Sequence, residues 1–165
     1  MMLKFVRFAM SQPVWTAFDA KDSSTWPVLK QPTKGSKVWP PPESFLLVYG
    51  RKNGERKNGY HKAIYLGNGK FCWPIEHVVA WSPGPIAKDD VDANGFPVVW
   101  HKRDASEPPG SIDVLVLCTF LTKQLHWSVS RFNEAKKEWS IEKKQASVEF
   151  WAEIPETPGE AKTLF

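Results

Sequence analysis

FLLVY at residues 45–49 and DVLVL at residues 113–117 begin 68 residues apart, and each is a short apolar run bounded by Pro or Gly. Runs of this length, rich in β-branched residues and Leu, read as buried strands. Around them the landmarks repeat. The first series is Trp39, Pro41 and Pro42, FLLVY, a turn rich in Gly and Asn, Phe71, and VVAWSP at 78–83. The second is Trp100, Pro108 and Pro109, DVLVL, RFN at 131–133, Trp139, and VEFWAEIP at 148–155. Phe71 to Trp139 is again 68 residues, and Trp81 to Trp151 is 70. A spacing kept across three landmarks points to two copies of one small β unit.

Strand signals recur throughout. Tyr60–Leu66 reads as the partner of Phe45–Tyr49, and Leu66–Lys70 as a turn leading into Phe71–Trp73. His77–Trp81 closes the first unit. Val98–His101, Ile112–Phe120, Leu125–Phe132, Glu138–Ile141 and Ala146–Trp151 make the second. NEAKKEWSIEKKQA (133–146) has the composition of a short helix, but its match to the Gly-rich turn of the first unit predicts a hairpin. The chain is therefore expected to be mainly β, with α+β as the alternative. It is read as two related small antiparallel β subdomains packed pseudo-symmetrically. The first covers residues 1–86 with an N-terminal extension or insertion, 87–97 form a linker, 98–158 the second, and 159–165 a tail. If Trp15 is the counterpart of Trp100, the segment 21–40 is an insertion in the first copy. Units of this size are marginal alone, so a shared core or a firm interface between them is expected.

The net charge of +4 has one local source. RKNGERKNGYHK at 51–62 carries Arg51, Lys52, Arg56, Lys57 and Lys62 against Glu55, and the remaining residues balance. The segment contains a five-residue tandem, RKNGE then RKNGY. Asn-Gly pairs favour positive φ and tight hairpin turns, so a long basic hairpin tip is predicted. Nine Trp and 14 Pro are unusual for 165 residues. Most of the Trp are expected in the core, with a few exposed.

Several chemistries lack their residues. No apolar stretch is long enough to span a membrane, and Lys4 and Arg7 interrupt the only apolar run near the N-terminus, which breaks the pattern of a secretory signal. A cytoplasmic location with reduced cysteines is expected. Cys72 with His77 and Cys118 with His126 lack the setting of a nucleophile. Two Cys and four scattered His do not supply the paired ligands of zinc. DVDANG (90–95) matches half of a calcium loop, but His101 stands where a bidentate Glu belongs and Pro97 sits within the loop. No P-loop, dinucleotide fingerprint or catalytic triad order is present. No enzyme activity, metal or cofactor is therefore expected.

The Trp100, Pro108, Val114-Leu115-Val116, Trp139, Trp151 and Pro155 series resembles domain-of-unknown-function family number 551, common in phages and prophages. Copy one offers Trp15 or Trp39, Leu46-Leu47-Val48, Phe71, Trp81 and Pro83. It departs at Phe71, where the family has Trp, and copy two departs at Ala152-Glu153, where Met-Pro is usual. The resemblance covers about two-thirds of the chain. It implies a phage or prophage accessory protein, and hence an inhibitor that occludes a host protein or nucleoprotein complex, for example in evading host defence. The expected contact is the basic hairpin: Arg51, Lys52, Arg56, Lys57, Tyr60 and Lys62, with Trp73 and Trp127 as further aromatic contacts. Two alternatives stay open. The same residues would suit direct nucleic-acid binding, with cations on phosphates and aromatics stacked on bases. A small-ligand or enzyme pocket between the two units is the other.

Overall fold

The computed structural model describes residues 15–29, 45–72, 75–86, 95–121 and 123–155. Ten strands form two five-stranded antiparallel sheets. The first contains β1 (Thr16–Ala17), β2 (Phe45–Lys52), β3 (Gly59–Gly67), β4 (Lys70–Phe71) and β5 (Ile75–Ser82) in the order β1-β5-β2-β3-β4. The second contains β6 (His101–Lys102), β7 (Asp113–Thr119), β8 (His126–Asn133), β9 (Glu138–Trp139) and β10 (Ser147–Ala152) in the order β6-β10-β7-β8-β9. The second order is the first with every strand advanced by five. Among the described residues there is no α-helix, only 3-10 turns such as Ser23–Thr25 and Ser140–Lys144. The stretch after Asn133 is a turn into β9, the predicted hairpin, with the second 3-10 turn after it.

The copies agree in register as well as in order. Leu47, Val48 and Tyr49 lie opposite Ser82, Trp81 and Ala80. Leu115, Val116 and Leu117 lie opposite Ala152, Trp151 and Phe150. Both last strands then bulge at the same place. Val79 is skipped between Tyr49 and Gly50, and Glu149 between Leu117 and Cys118. A bulge leaves one residue unpaired and bends its strand; β5 carries a second one at Glu76, between Arg51 and Lys52, that β10 does not share. β1 and β6 pair alike with their last strands, Thr16 opposite Trp81 and His101 opposite Trp151. Trp15 thus occupies the position of Trp100. Trp39, Pro41 and Pro42 lie outside the described residues. β6 starts later than the predicted strand, because Val98 and Trp100 turn into the core between the sheets instead.

Alternation along the strands builds three apolar clusters. Leu46, Val48, Ala63, Tyr65, Phe71 and Ile75 face outward from the first sheet, against Phe18, Trp26, Val78 and Trp81. Val114, Val116, Cys118, Phe132, Trp139, Val148 and Trp151 form the same outer cluster on the second. Even the ring contacts repeat, with Tyr65–Phe71 centroids 5.3 Å apart and Phe132–Trp139 centroids 5.1 Å apart. The opposite faces meet in one shared core of Trp15, Leu47, Ala80, Phe96, Leu115 and Ala152, flanked by Tyr49, Tyr60, Trp100, Trp127 and Val129. Burial on both faces is the physical reason FLLVY and DVLVL are continuous apolar runs rather than alternating ones.

Indole N–H groups tie this arrangement to the backbone. Trp15 Nε1 donates to the Pro155 carbonyl at 3.4 Å, just past the last strand of the other copy. Trp100 Nε1 donates to the Ile86 carbonyl at 3.0 Å, just past the last strand of the first copy. These two bonds are reciprocal across the pseudo-two-fold. Trp81 and Trp151 donate to Thr25 and Ser106, each in the loop after the first strand of its own copy. Buried indoles need such partners. None of the seven described Trp is exposed, so the expected few surface Trp are not found among them.

Candidate functional site

The basic segment is built differently from a simple long hairpin. β2 continues past its last pair with β3, Gly50 opposite Gly59. Arg51 and Lys52 therefore belong to the sheet, opposite His77 and Ile75 of β5. The turn proper is residues 53–58. The tandem repeat is used asymmetrically. Gly54 has φ 84° and makes the expected tight turn. Asn58-Gly59 instead enters β3, with no positive φ at either residue. The turn is held by its own groups. Glu55 N–H donates to the Lys52 carbonyl at 3.1 Å, and Lys52 N–H to Glu55 Oε2 at 3.0 Å. The Asn58 side chain bonds the Tyr49 hydroxyl.

The turn leans on the second copy. Asp113, the first residue of β7, accepts Tyr60 N–H at Oδ2 (3.2 Å) and Arg131 Nε at Oδ1 (2.7 Å). This one carboxylate caps the free edge of β3 and fixes the β8 arginine beside it. Between the turn and β8 lies a groove of about 500 Å³, lined by Arg56, Lys57, Tyr60, His61, Asp113 and Arg131 among others. His61 is largely buried, and its Nε2 has no hydrogen-bond partner. Desolvation, with Lys52 adding to it, lowers its pKa, so the ring is neutral at pH 7. Arg131 was not among the residues singled out from the sequence. It is the register partner of Asp113 across the β7–β8 pair.

Three residues counted with the hairpin go elsewhere. Lys62 points into the seam between the sheets, where its Nζ donates to the Trp127 carbonyl at 2.6 Å. It lies over the rings of Phe45 and Trp127, at 4.5 and 4.7 Å from their centroids. Burial lowers its pKa to about 8. Trp127 is half-buried in the shared core and packs on Gly84, where a Cβ would lie 2.9 Å from the indole. Lys62 and Trp127 thus meet each other in the seam. Tyr60 lines the groove but is packed against Trp15 and Tyr49, with centroids 5.9 and 4.9 Å away. Trp73 and residues 90–94 of DVDANG lie outside the described residues. Among the described residues no cluster of His, Cys, Asp or Glu has the makings of a metal site. Cys72 and Cys118 are free thiols, the latter fully buried with its pKa raised by that burial. No helix of the described residues is long and apolar enough to cross a membrane.

The corresponding turn of the second copy, CTFLTKQL (118–125), carries Lys123 as its single cation. Its Phe120, Leu121 and Leu125 are exposed. One scaffold therefore presents two equivalent hairpin ends of opposite character. No known protein family, curated protein or solved structure matches the chain.

Proposed function

We propose that this chain is a non-enzymatic accessory protein of a phage or prophage. It works in the host cytoplasm, binding an acidic face of a host macromolecular complex, such as a defence complex, and occluding it. The contact is the basic segment, reduced to Arg51, Lys52, Arg56 and Lys57, since Lys62 is spent in the seam.

One observation carries this reading. Two hairpins occupy equivalent places in matching sheets, yet only one is basic, so the fold does not require the charge. Its single carboxylate, Glu55, is engaged within the turn, which leaves four cations without ion pairs among the described residues. Cationic patches of this kind steer association with acidic partners and fix register on them.

Direct nucleic-acid binding is the second reading, and the alignment of Arg131 beside Arg56 and Lys57 favours it. A pulldown from host lysate, with and without nuclease, separates the two. Wild-type protein should retain one defined host complex, and the variant with Arg51, Lys52, Arg56 and Lys57 all replaced by Ser should lose it. Capture that disappears with nuclease, joined to steep loss of DNA binding with salt, transfers the role to nucleic acid. Undiminished capture by the variant removes the hairpin from the contact.

A further inference from the structure

We propose that the groove between the hairpin turn and β8 is a binding site for a small phosphomonoester with a ring-sized body, a nucleoside monophosphate being the representative ligand. This goes beyond the docking role: it shares Arg56 and Lys57 with that contact, while Arg131, His61 and Gly59 belong to the groove alone.

The geometry supplies three requirements together. The first is positive charge from two directions. Arg56 and Lys57 line one wall and Arg131 the other. Asp113 holds Arg131 by Nε alone, which leaves its terminal nitrogens without a protein partner among the described residues. A guanidinium fixed at Nε presents its far edge in the fork that matches phosphate oxygens. Of the two carboxylates in the groove, Asp113 is bonded through both oxygens, to Arg131 and to Tyr60 N–H, and Glu55 through one, to Lys52 N–H.

The second is an unsatisfied polar atom at the floor. His61 Nε2 is buried without a hydrogen-bond partner, its closest carboxylate oxygen being 3.6 Å away on Glu55. Buried polar groups left without a partner cost stability, and native structures keep few of them. The one ring N–H of His61 is bonded to the Gly50 carbonyl, so Nε2 of the neutral ring is an acceptor, which a hydroxyl on the body of the ligand would satisfy. The third is room at that point. A Cβ built on Gly59 would lie 3.2 Å from Asp113 Oδ2 and 3.8 Å from His61 Nε2. The floor is open because residue 59 has no side chain. At about 500 Å³ the groove falls within the range of small-molecule sites, and Val129 and Tyr60 offer an apolar wall for the body of the ligand.

Titration calorimetry with adenosine 5′-monophosphate, adenosine and inorganic phosphate tests this on the full chain. The monophosphate should bind, and adenosine should not. Arg131→Gln should weaken binding about tenfold or more, the loss expected of one charge-assisted contact, and Gly59→Ala should weaken it by crowding the floor beside Asp113 and His61. Arg51→Ser with Lys52→Ser should leave it unchanged while reducing host capture, so failure of either proposal is visible without the other. Gly59→Ala adds one methyl away from the hydrophobic core, and a matching thermal melt shows that it folds. Absence of binding by the monophosphate overturns the proposal. So does equal binding by Arg131→Gln and wild type. Inorganic phosphate binding as tightly as the monophosphate removes the ring-sized body from it.

Discussion

Lys62 shows how one side chain couples the seam to pH. Its ammonium is buried between Phe45 and Trp127, and that burial lowers its pKa from 10.5 to about 8. Below pH 8 the lysine is charged in both folded and unfolded chains, and the full desolvation cost is present. Between pH 8 and 10.5 the unfolded chain binds the extra proton, so the contribution of Lys62 to stability rises with pH across that window, against the opposite contribution of the buried Cys118 thiol. The expected gain is at most about 3 kcal/mol. Lys62→Met keeps the length and apolar stem and should flatten that rise, which urea unfolding at pH 7 and pH 10 would measure. A variant that retains the full rise would assign it to another group. Trp15 offers a second residue-scale test. Trp15→Phe deletes the indole bond to Pro155 and leaves that carbonyl unpaired, at an expected cost of about 1–3 kcal/mol. Trp100→Phe should cost a similar amount, because it breaks the reciprocal bond.

At the scale of elements, apolar runs and turn residues were legible where local chemistry decides them. FLLVY and DVLVL are strands because they are buried on both faces, and the 68-residue spacing follows from a register kept pair by pair. Of the short edge strands, β4 was expected at Phe71–Trp73 and lies at Lys70–Phe71, whereas β1 was not read as a strand. Each holds two residues against a longer neighbour, and that pairing is a tertiary event with no period of its own. The basic hairpin was half legible. Asn53-Gly54 turns as its composition predicts, whereas Asn58-Gly59 is drawn into β3 by pairing with β2 and by Asp113 from the other copy. Alternation could place Lys62 on the face opposite His61, but not reveal that this face meets a second sheet. Gly84 is a turn position that a side chain would disturb in two ways. Its φ is 94°, and a Cβ would press on the Trp127 ring. Gly84→Ala should destabilise by roughly 2 kcal/mol or more, combining positive-φ strain with overpacking, and a drop in the thermal midpoint would show it. An unchanged midpoint would mean that the loop and Trp127 relax apart freely.

For the whole molecule, the shared core predicts one cooperative unit. Leu47 and Leu115 are fully buried in the same cluster although they come from different copies. Leu115→Ala should cost about 2–5 kcal/mol and shift a single unfolding transition seen equally by Trp fluorescence and by circular dichroism. Two separated transitions would mean that each sheet melts alone. The repeat was visible in sequence because cores constrain volume and pattern. The groove was not, since it needs Arg131 from one copy beside Arg56 and Lys57 from the other. The pseudo-two-fold seam has one more consequence. In a symmetric homodimer every substitution appears twice, and a cationic turn on one subunit imposes the same turn on its twin. Joining the halves in one chain lifts that rule. It also keeps them at an effective concentration in the millimolar range or above, so neither half needs a surface strong enough to find the other from dilute solution. The two turns are thereby free to specialise separately, one gathering cations and the other apolar side chains, while the shared bulge, indole bonds and strand register beneath them stay matched.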